Sequence, residues 1–343
     1  MTRMMKCAMY YNNRDIRLEE IPVPPTGNDE LLVKMRACGI CGSDVLEWYR
    51  ASKAPLVLGH EMTGEIAETG TSVSRYHVGD RVFVSHHVPC NTCRYCLRGH
   101  HTVCDTLRNT NFDPGGFAEF IRVPAINVDR GVFLLPEEIS YEQGTFIEPL
   151  ACVLRGQKIA HLQPGQSVFI LGAGISGLLH LKVAKALGAG PVFVADIHQE
   201  RLDFAEKFRA TAAFPSGNDV SEQLKGANNG HLADLVIVAA GAGEAIRRAW
   251  ESVDRGGTVL IFAPPEPGID IPLPLFDLWH DGVTVAHTYA GAPLDIAEAI
   301  ELIRSRNVVV EDMITHRLPL ARASEGFALV EKARDSLKVI IEP

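Results

Sequence analysis

The amino-acid sequence predicts an α/β protein in which a β-rich domain is followed by a parallel-sheet domain. The chain has 343 residues, which is enough for two domains of roughly 100–200 residues each. Its first third consists of short strand-like runs separated by turns, whereas strands and helices alternate after Pro149. A last segment of some fifty residues departs from this alternation.

The first third has the pattern of a barrel-like β domain. Leu31–Arg36 and Arg81–Ser85 are apolar or alternating runs of strand length. Turn-forming residues interrupt the region repeatedly, at Gly59, Gly64, Gly70, Gly79-Asp80 and Pro114-Gly115-Gly116.

The middle of the chain has the pattern of βαβ units. A strand over Ser167–Leu171 leads through a glycine-rich turn into a helix over Ile175–Leu187, and a further helix covers Glu200–Phe208. The other predicted strands are Val192–Ala195, Leu235–Ala239, Thr258–Phe262 and Val283–Ala286. Such alternation predicts a parallel sheet.

The last segment is expected to leave the α/β domain and pack on the first domain. It contains predicted helices over Leu294–Ser305 and Ala321–Ala333, a bend at Thr315–Arg317 between them, and a final strand over Lys338–Ile341. The expected domains are 1–152 with 290–343, and 153–289.

The composition excludes several classes of protein. The chain has 33 Lys and Arg against 42 Asp and Glu, and this net charge of −9 argues against a nucleic-acid partner. No apolar stretch reaches the roughly 18 residues of a membrane span, and the N-terminus lacks the apolar core of a signal peptide. We therefore expect a cytoplasmic protein with no membrane contact.

Four of the eight cysteines lie close together in the sequence. The spacing Cys90-x2-Cys93-x2-Cys96-x7-Cys104 can close a tetrahedral zinc site that leaves no position for a substrate, which predicts a structural zinc. Free core thiols, disulfides and an iron–sulfur cluster are the alternatives.

A second motif predicts a dinucleotide site. Gly172-Ala-Gly174-Ile175-Ser-Gly177 follows a predicted strand and opens a helix, and Asp196 ends the next strand. The glycines allow a tight turn, close approach of a pyrophosphate and packing of the helix against the sheet. Asp196 would bind the ribose hydroxyls and repel a 2′-phosphate, so we predict NAD rather than NADP. A plain surface carboxylate is the alternative for Asp196.

A third set of residues is dispersed along the chain. It comprises Cys41-Gly-Ser43-Asp44, Gly59-His60-Glu61 and Glu148-Pro149. Together these segments supply a thiolate, an imidazole and carboxylates, and a catalytic zinc needs three protein ligands and one open position.

With these motifs in this order, the chain resembles the zinc-dependent medium-chain alcohol dehydrogenase superfamily. The segment Gly59-His60-Glu61-Met-Thr-Gly64 is similar to that family's zinc signature, and the resemblance covers essentially the whole chain. It implies a GroES-like catalytic domain and a Rossmann domain of doubly wound parallel sheet. Ile147–Leu150 and Ile314–Leu320 resemble the sorbitol and polyol dehydrogenase branch.

The resemblance also implies a chemistry. Cys41, His60 and either Glu61 or Glu148 would hold a catalytic zinc that binds the substrate oxygen, with Glu148 acting directly or through water. Ser43 would take the hydroxyl proton while hydride passes to NAD, turning a secondary alcohol of the polyol, inositol or sugar type into a ketone. The family further implies a homodimer or homotetramer.

The sequence departs from the family pattern at one position and leaves other functions open. Leu46 stands where the family commonly has a histidine that completes a proton relay. Because of this difference, the substrate of a relative is hard to assign to this chain. Threonine, amino-alcohol or simple secondary-alcohol dehydrogenases remain alternatives, as does a non-catalytic NAD- and zinc-binding sensor. We expect His86 and His87 to point to opposite faces of a strand, which disfavours a shared metal site.

Overall fold

The computed structural model describes residues 2–343. Within this range the strands are β1 (Met4–Asn12), β2 (Asp15–Pro22), β3 (Leu31–Gly39), β4 (Leu56–Val57), β5 (Glu61–Thr69), β6 (Arg81–Val84), β7 (Phe120–Val123), β8 (Val132–Leu134), β9 (Val168–Leu171), β10 (Val192–Asp196), β11 (Ala212–Pro215), β12 (Ala233–Val238), β13 (Val253–Ile261), β14 (Thr284–His287), β15 (Ile314–Pro319) and β16 (Lys338–Glu342).

The α-helices of the same range are α1 (Glu47–Arg50), α2 (Asp105–Asn109), α3 (Ala125–Arg130), α4 (Tyr141–Gly144), α5 (Ile147–Ile159), α6 (Ile175–Ala186), α7 (Gln199–Lys207), α8 (Val220–Ala227), α9 (Gly243–Ser252), α10 (Leu275–His280), α11 (Pro293–Arg304) and α12 (Ala323–Lys332). None of these helices has the length and apolarity that a membrane span requires.

The chain divides into two compact units. Unit 1 consists of the N-terminal segment up to Ala151 together with Gly291–Pro343, and unit 2 is Cys152–Ala290.

Unit 1 is built on a largely antiparallel sheet with the strand order β15-β16-β3-β5-β6-β8, while β7 also pairs with β3. A smaller sheet has the order β2-β1-β4. Strand β3 is buried along most of its length because β5, β7 and β16 all pair with it. Its last residue, Gly39, is opposite Glu61 of β5 and Ile340 of β16, so three distant segments meet there.

The C-terminal segment differs from the predicted bend. Residues 314–319 form strand β15, which pairs in parallel with β16, so the bend predicted at Thr315–Arg317 is wrong. The pairing register between β15 and β16 shifts once, between Ile314 and His316, and this shift overlaps the segment predicted as a bend. In the sequence, helix α12 comes between β15 and β16, and β16 in turn pairs with β3.

Unit 2 contains a six-stranded parallel sheet with the order β11-β10-β9-β12-β13-β14. Strands β9 and β10 are buried at every position, as expected for a parallel sheet that is covered on both faces. The order reverses beside β9, and at such a switch point doubly wound folds bind ligands at the carboxyl ends of the strands. The predicted fold class, a Rossmann-type sheet combined with a β-rich domain, is confirmed.

Candidate metal centres and cofactor site

The four clustered cysteines converge in space. The Sγ atoms of Cys90, Cys93, Cys96 and Cys104 all lie within 4.8 Å of one another. The Sγ atom of Cys96 is 4.0 Å from that of Cys90 and 3.6 Å from that of Cys93. A tetrahedron with Zn–S bonds of about 2.3 Å has edges of about 3.8 Å, so the four thiols fit one zinc ion.

The surroundings of Cys90 favour its thiolate, which is the form that binds a metal. The backbone N–H groups of Thr92 and Cys93 donate to Cys90 Sγ and, with the Thr92 side chain, lower the pKa of that thiol to about 5. Arg130 donates a hydrogen bond to the carbonyl oxygen of Cys90, at the start of the cysteine lobe formed by residues 90–104. None of the eight cysteines forms a disulfide.

A second group of donor atoms lies at the end of the unit 1 sheet. Cys41, His60 and Glu61 each offer one ligand atom, and these atoms lie within 4.8 Å of one another. A thiolate, an imidazole and a carboxylate are ligands that zinc accepts, and three of them leave a fourth position open. His60 Nδ1 faces Asp44 Oδ1 at 3.4 Å, which leaves Nε2 of His60 for a metal.

Buried charges surround this group. Burial opposes protonation of His60, but the nearby Asp44 carboxylate and Cys41 thiol outweigh it and raise the pKa of His60 well above its usual range. Burial likewise acts against the Asp44 carboxylate, yet His60, Arg50 and the backbone N–H of Cys41 lower its pKa. The carboxylate of Asp44 therefore orients and balances the imidazole.

Glu61 also contacts Lys338, the first residue of β16. Both side chains are almost fully buried, and Lys338 Nζ donates to Glu61 Oε2. Gly39 makes room for this pair, because an added Cβ there would lie 2.5 Å from Lys338 Nζ. A buried charge is costly unless an opposite charge lies close to it. The contact between Lys338 and Glu61 therefore holds β16 next to the candidate site.

Arg50 holds the serine next to this site. Its guanidinium donates to Ser43 Oγ at 3.0 Å, to the Ser43 carbonyl oxygen at 3.0 Å and to Asp44 Oδ1 at 3.3 Å. The Ser43 backbone N–H in turn donates to Cys41 Sγ at 3.4 Å. The hydroxyl of Ser43 is thus fixed two residues from the thiol ligand.

The glycine-rich segment joins β9 to α6. Gly172 has φ +107°, a conformation that favours glycine, and a Cβ on Gly177 would collide with the Gly172 carbonyl oxygen. Gly174 is the N-cap of α6 and provides no side-chain cap, while Ile175 begins the helix. The first N–H groups of α6 can therefore bind a phosphate group.

Asp196 ends β10 beside this turn. Its Oδ2 accepts a hydrogen bond from the Ala173 N–H at 2.7 Å and its Oδ1 accepts one from the His198 N–H at 2.9 Å. The carboxylate therefore shapes the glycine-rich turn. The alternative of a plain surface carboxylate does not hold, since Asp196 is only 8 % exposed.

Comparison with known proteins gives two family matches. Residues 27–136 match the alcohol dehydrogenase GroES-like domain, and residues 176–305 match the zinc-binding dehydrogenase family. Sorbitol dehydrogenase of Bacillus subtilis is 33 % identical over 99 % of this chain and 97 % of its own length. The chain belongs to the zinc-dependent medium-chain dehydrogenase superfamily.

Solved structures of this superfamily share the fold over the whole chain. A zinc-binding dehydrogenase of Sinorhizobium meliloti 1021, bound to NADP, has a TM-score of 0.89 and 29 % identity, covering 99 % of this chain and all of its own. Galactitol-1-phosphate dehydrogenase of Escherichia coli has a TM-score of 0.87 and 28 % identity with the same coverage. The chain is accordingly an alcohol dehydrogenase, as the sequence predicts.

The two candidate carboxylates of this chain differ in their position relative to Cys41 and His60. Among the described residues, Glu61 belongs to the group of close donor atoms and Glu148 does not. Glu148 is in the first turn of α5. Leu46, at the position of the family's relay histidine, caps α1 and is 37 % exposed.

Two histidines differ from the sequence-based expectation. His86 and His87 follow the end of β6 rather than lying within it, and their ring centroids are 3.8 Å apart. The expectation that they point to opposite faces is therefore wrong. The His86 ring is 5.0 Å from the ring of His60, next to the candidate catalytic centre.

Sequence reasoning also missed a cation in the dehydrogenase cofactor region. A Cβ added to Gly174 would lie 2.6 Å from Arg201 Nη1, so the guanidinium covers the tip of the glycine-rich turn. Arg201 follows Asp196 by five residues, in the first turns of α7. No motif around Asp196 indicates Arg201, because the two residues are five positions apart and Arg201 belongs to the helix that follows the strand.

Proposed function

We propose that this chain is an NAD-dependent zinc dehydrogenase that oxidises secondary alcohols of the polyol, inositol or sugar-derived class to ketones. The observation that carries this proposal is the group of Cys41, His60 and Glu61, with Ser43 fixed beside it by Arg50. The Cys41 thiolate and the Glu61 carboxylate would offset two charges of Zn²⁺, and the Lys338 ammonium paired with Glu61 leaves one positive charge in this group. That charge would stabilise negative charge developing on an alcohol oxygen.

The proposal assigns two zinc ions to the chain. Cys41, His60 and Glu61 would hold the catalytic ion, whereas Cys90, Cys93, Cys96 and Cys104 would hold the structural one. We assign Glu61 rather than Glu148 as the third ligand because only Glu61 lies within reach of the other two. Zinc supplies Lewis acidity at the alcohol oxygen and NAD supplies the redox chemistry.

Ser43 would move the substrate proton. Because Arg50 donates to Ser43 Oγ, that oxygen is polarised and its own O–H is left to bond with a neighbouring oxygen. An arginine cannot accept a proton, so Arg50 is a positioning residue and no substitute for the histidine absent at Leu46. Ser43 Oγ would therefore take the hydroxyl proton of the substrate.

The cofactor site would contain the first turn of α6, Asp196 and Arg201. Asp196 is proposed to bind the adenosine ribose hydroxyls with the lone pairs that Ala173 and His198 leave free. A carboxylate repels a 2′-phosphate, which favours NAD. Replacing Asp196 by Ala should weaken NADH binding by about 10- to 100-fold and relax the preference for NAD over NADP; an unchanged preference would contradict the ribose assignment.

The central test measures NADH absorbance over a panel of polyols, inositols, sugar phosphates, hydroxy-amino acids and simple secondary alcohols. Turnover of a polyol supports the proposal, and turnover of threonine alone favours the amino-alcohol alternative. Binding of NADH without any turnover would favour a sensor. Metal analysis should give two zinc ions per chain, with one lost in Cys41→Ala and the other in Cys93→Ala.

We further propose that the protein is a cytoplasmic homodimer or homotetramer. Strand β14 is an edge of the six-stranded sheet, and α10, which precedes it in sequence, exposes Leu275, Phe276 and Trp279 by 67–73 %. An apolar cluster of this kind commonly marks a protein contact. Phe276→Asp should yield monomers in light scattering with unchanged zinc content; a dimer that persists would contradict this interface.

Metal-binding thiols need a reducing compartment, which supports the cytoplasmic location.

A further inference from the structure

His86 and His87 form a polar wall beside the candidate catalytic group. The two rings are 3.8 Å apart and tilted by 35°, and His86 stands between His87 and His60. On another side the ring of Phe112 meets His86 edge-on, with centroids 6.4 Å apart. Both residues are half-buried.

The ring of His86 has unused hydrogen-bonding capacity. Its Nδ1 is buried and has no partner among the described residues. Neutral imidazole both donates and accepts one hydrogen bond, which matches the two roles of a hydroxyl group. A buried polar atom without a hydrogen-bond partner lowers the stability of the folded protein unless a ligand or a water molecule completes its hydrogen bonding.

The backbone of this segment is held by surrounding side chains. The buried amide of Asn127, in α3, donates to the carbonyl oxygens of Ser85 at 2.9 Å and His86 at 3.0 Å. Ser85 Oγ donates to the carbonyl oxygen of His87 at 2.9 Å. The histidine pair is therefore positioned by a built network, as a binding wall requires.

We propose that His86, supported by His87, hydrogen-bonds a second hydroxyl of the substrate, on the carbon next to the one that is oxidised. This inference rests on the proposed function, and it names the residue that would recognise the vicinal hydroxyl shared by polyols and inositols. The ring lies 5.0 Å from that of a candidate zinc ligand, so an alcohol oxygen at the metal would place its neighbouring carbon near His86.

The nature of the wall selects a neutral group. Asp44 already occupies the Arg50 guanidinium, and the histidine pair offers hydrogen bonds without a fixed charge. An apolar side chain in place of His86 would contact a hydrocarbon part of the substrate equally well but could not form a hydrogen bond with a hydroxyl group. The wall therefore distinguishes a diol from a simple alcohol of the same length.

The test compares 2,3-butanediol with 2-butanol, which differ by one vicinal hydroxyl. The zinc-loaded enzyme with NAD should show a kcat/KM at least about tenfold higher for the diol. His86→Phe should lower kcat/KM for the diol about 10- to 100-fold, mainly through KM, and change that for 2-butanol less than about threefold. His86→Gln, which keeps a hydrogen-bonding nitrogen, should restore part of the diol preference.

Phe112→Leu is the matched control, since it alters packing against the same ring without removing a hydrogen bond. It should affect both alcohols equally. Equal losses for both alcohols in His86→Phe, no diol preference in the unaltered enzyme, or no effect of the substitution would each overturn the inference.

A second measurement is independent of turnover. The imidazole nitrogen resonances of the isotopically labelled protein, assigned by comparison with His86→Phe, should shift on addition of 2,3-butanediol and not of 2-butanol. If the protein oxidises no secondary alcohol, the proposed function fails, while this titration still decides whether His86 contacts a diol. Identical spectra with and without the diol would overturn the contact.

Discussion

The buried pair of Glu61 and Lys338 leads to a prediction about charge at the candidate zinc site. Replacing Lys338 by Met leaves the Glu61 carboxylate at a position where its side chain is 2 % exposed. Removing one partner of a buried ion pair costs about 3–5 kcal/mol, because the remaining charge is uncompensated. The reverse change, Glu61→Gln, leaves the Lys338 ammonium without the Glu61 charge, 5.0 Å from the ring centroid of Phe146.

A zinc ion would make these two losses unequal. If Glu61 is a ligand, the metal offsets its charge in Lys338→Met, whereas no metal offsets Lys338 in Glu61→Gln. We therefore expect about 3–5 kcal/mol for Glu61→Gln and about half of that for Lys338→Met in zinc-loaded protein. The double variant should be more stable than Glu61→Gln, since it buries neither charge.

The assay is urea unfolding followed by circular dichroism, with each variant prepared in two backgrounds. In Cys41→Ala, which removes a metal ligand, the cost of Lys338→Met should rise to about 3–5 kcal/mol. The same cost in both backgrounds would refute a ligand role for Glu61. A Glu61→Gln variant as stable as the unaltered protein would refute the ion pair itself.

Three other changes test separate parts of the chain. Cys96→Ser should remove one zinc ion per chain and make the segment 90–104 sensitive to protease, and unchanged zinc content would contradict the structural site. Gly177→Ala should weaken NADH binding about tenfold or more, because its Cβ meets the Gly172 carbonyl oxygen; fluorescence titration with NADH measures this loss. Burial lowers the pKa of His180 to about 3, so the folded chain stays neutral there while the unfolded chain gains a proton below about pH 6.5. Stability should thus fall by about 2 kcal/mol between pH 7 and pH 5, and His180→Gln should remove that part of the decline in urea unfolding; equal declines would contradict the assignment.

Local sequence patterns predict a large part of this molecule. The cysteine lobe and the glycine-rich turn each depend on residues within about one loop of one another, so spacing alone indicates their shape. Alternation of strands and helices predicts the parallel sheet for the same reason, because each βαβ unit is a short stretch of chain.

The remaining features depend on contacts between distant residues. Lys338 meets Glu61 across 277 positions, and no pattern around either residue announces the pair. Strand β15 forms where a bend is predicted, since parallel pairing with β16 outweighs local turn preference. His86 and His87 come together because β6 ends at Val84, and an alternation rule fails beyond the last paired residue.

The position of Lys338 has a consequence for biosynthesis. The candidate zinc site of unit 1 starts with Cys41 and His60 but receives its ammonium only from β16, at the C-terminal end of the chain. Because a ribosome makes the N-terminal part first, Glu61 is synthesised 277 residues before the lysine that supplies its counter-charge. Completion of the site is thereby linked to synthesis of β16, and a chain that stops before Lys338 lacks the residue that neutralises Glu61.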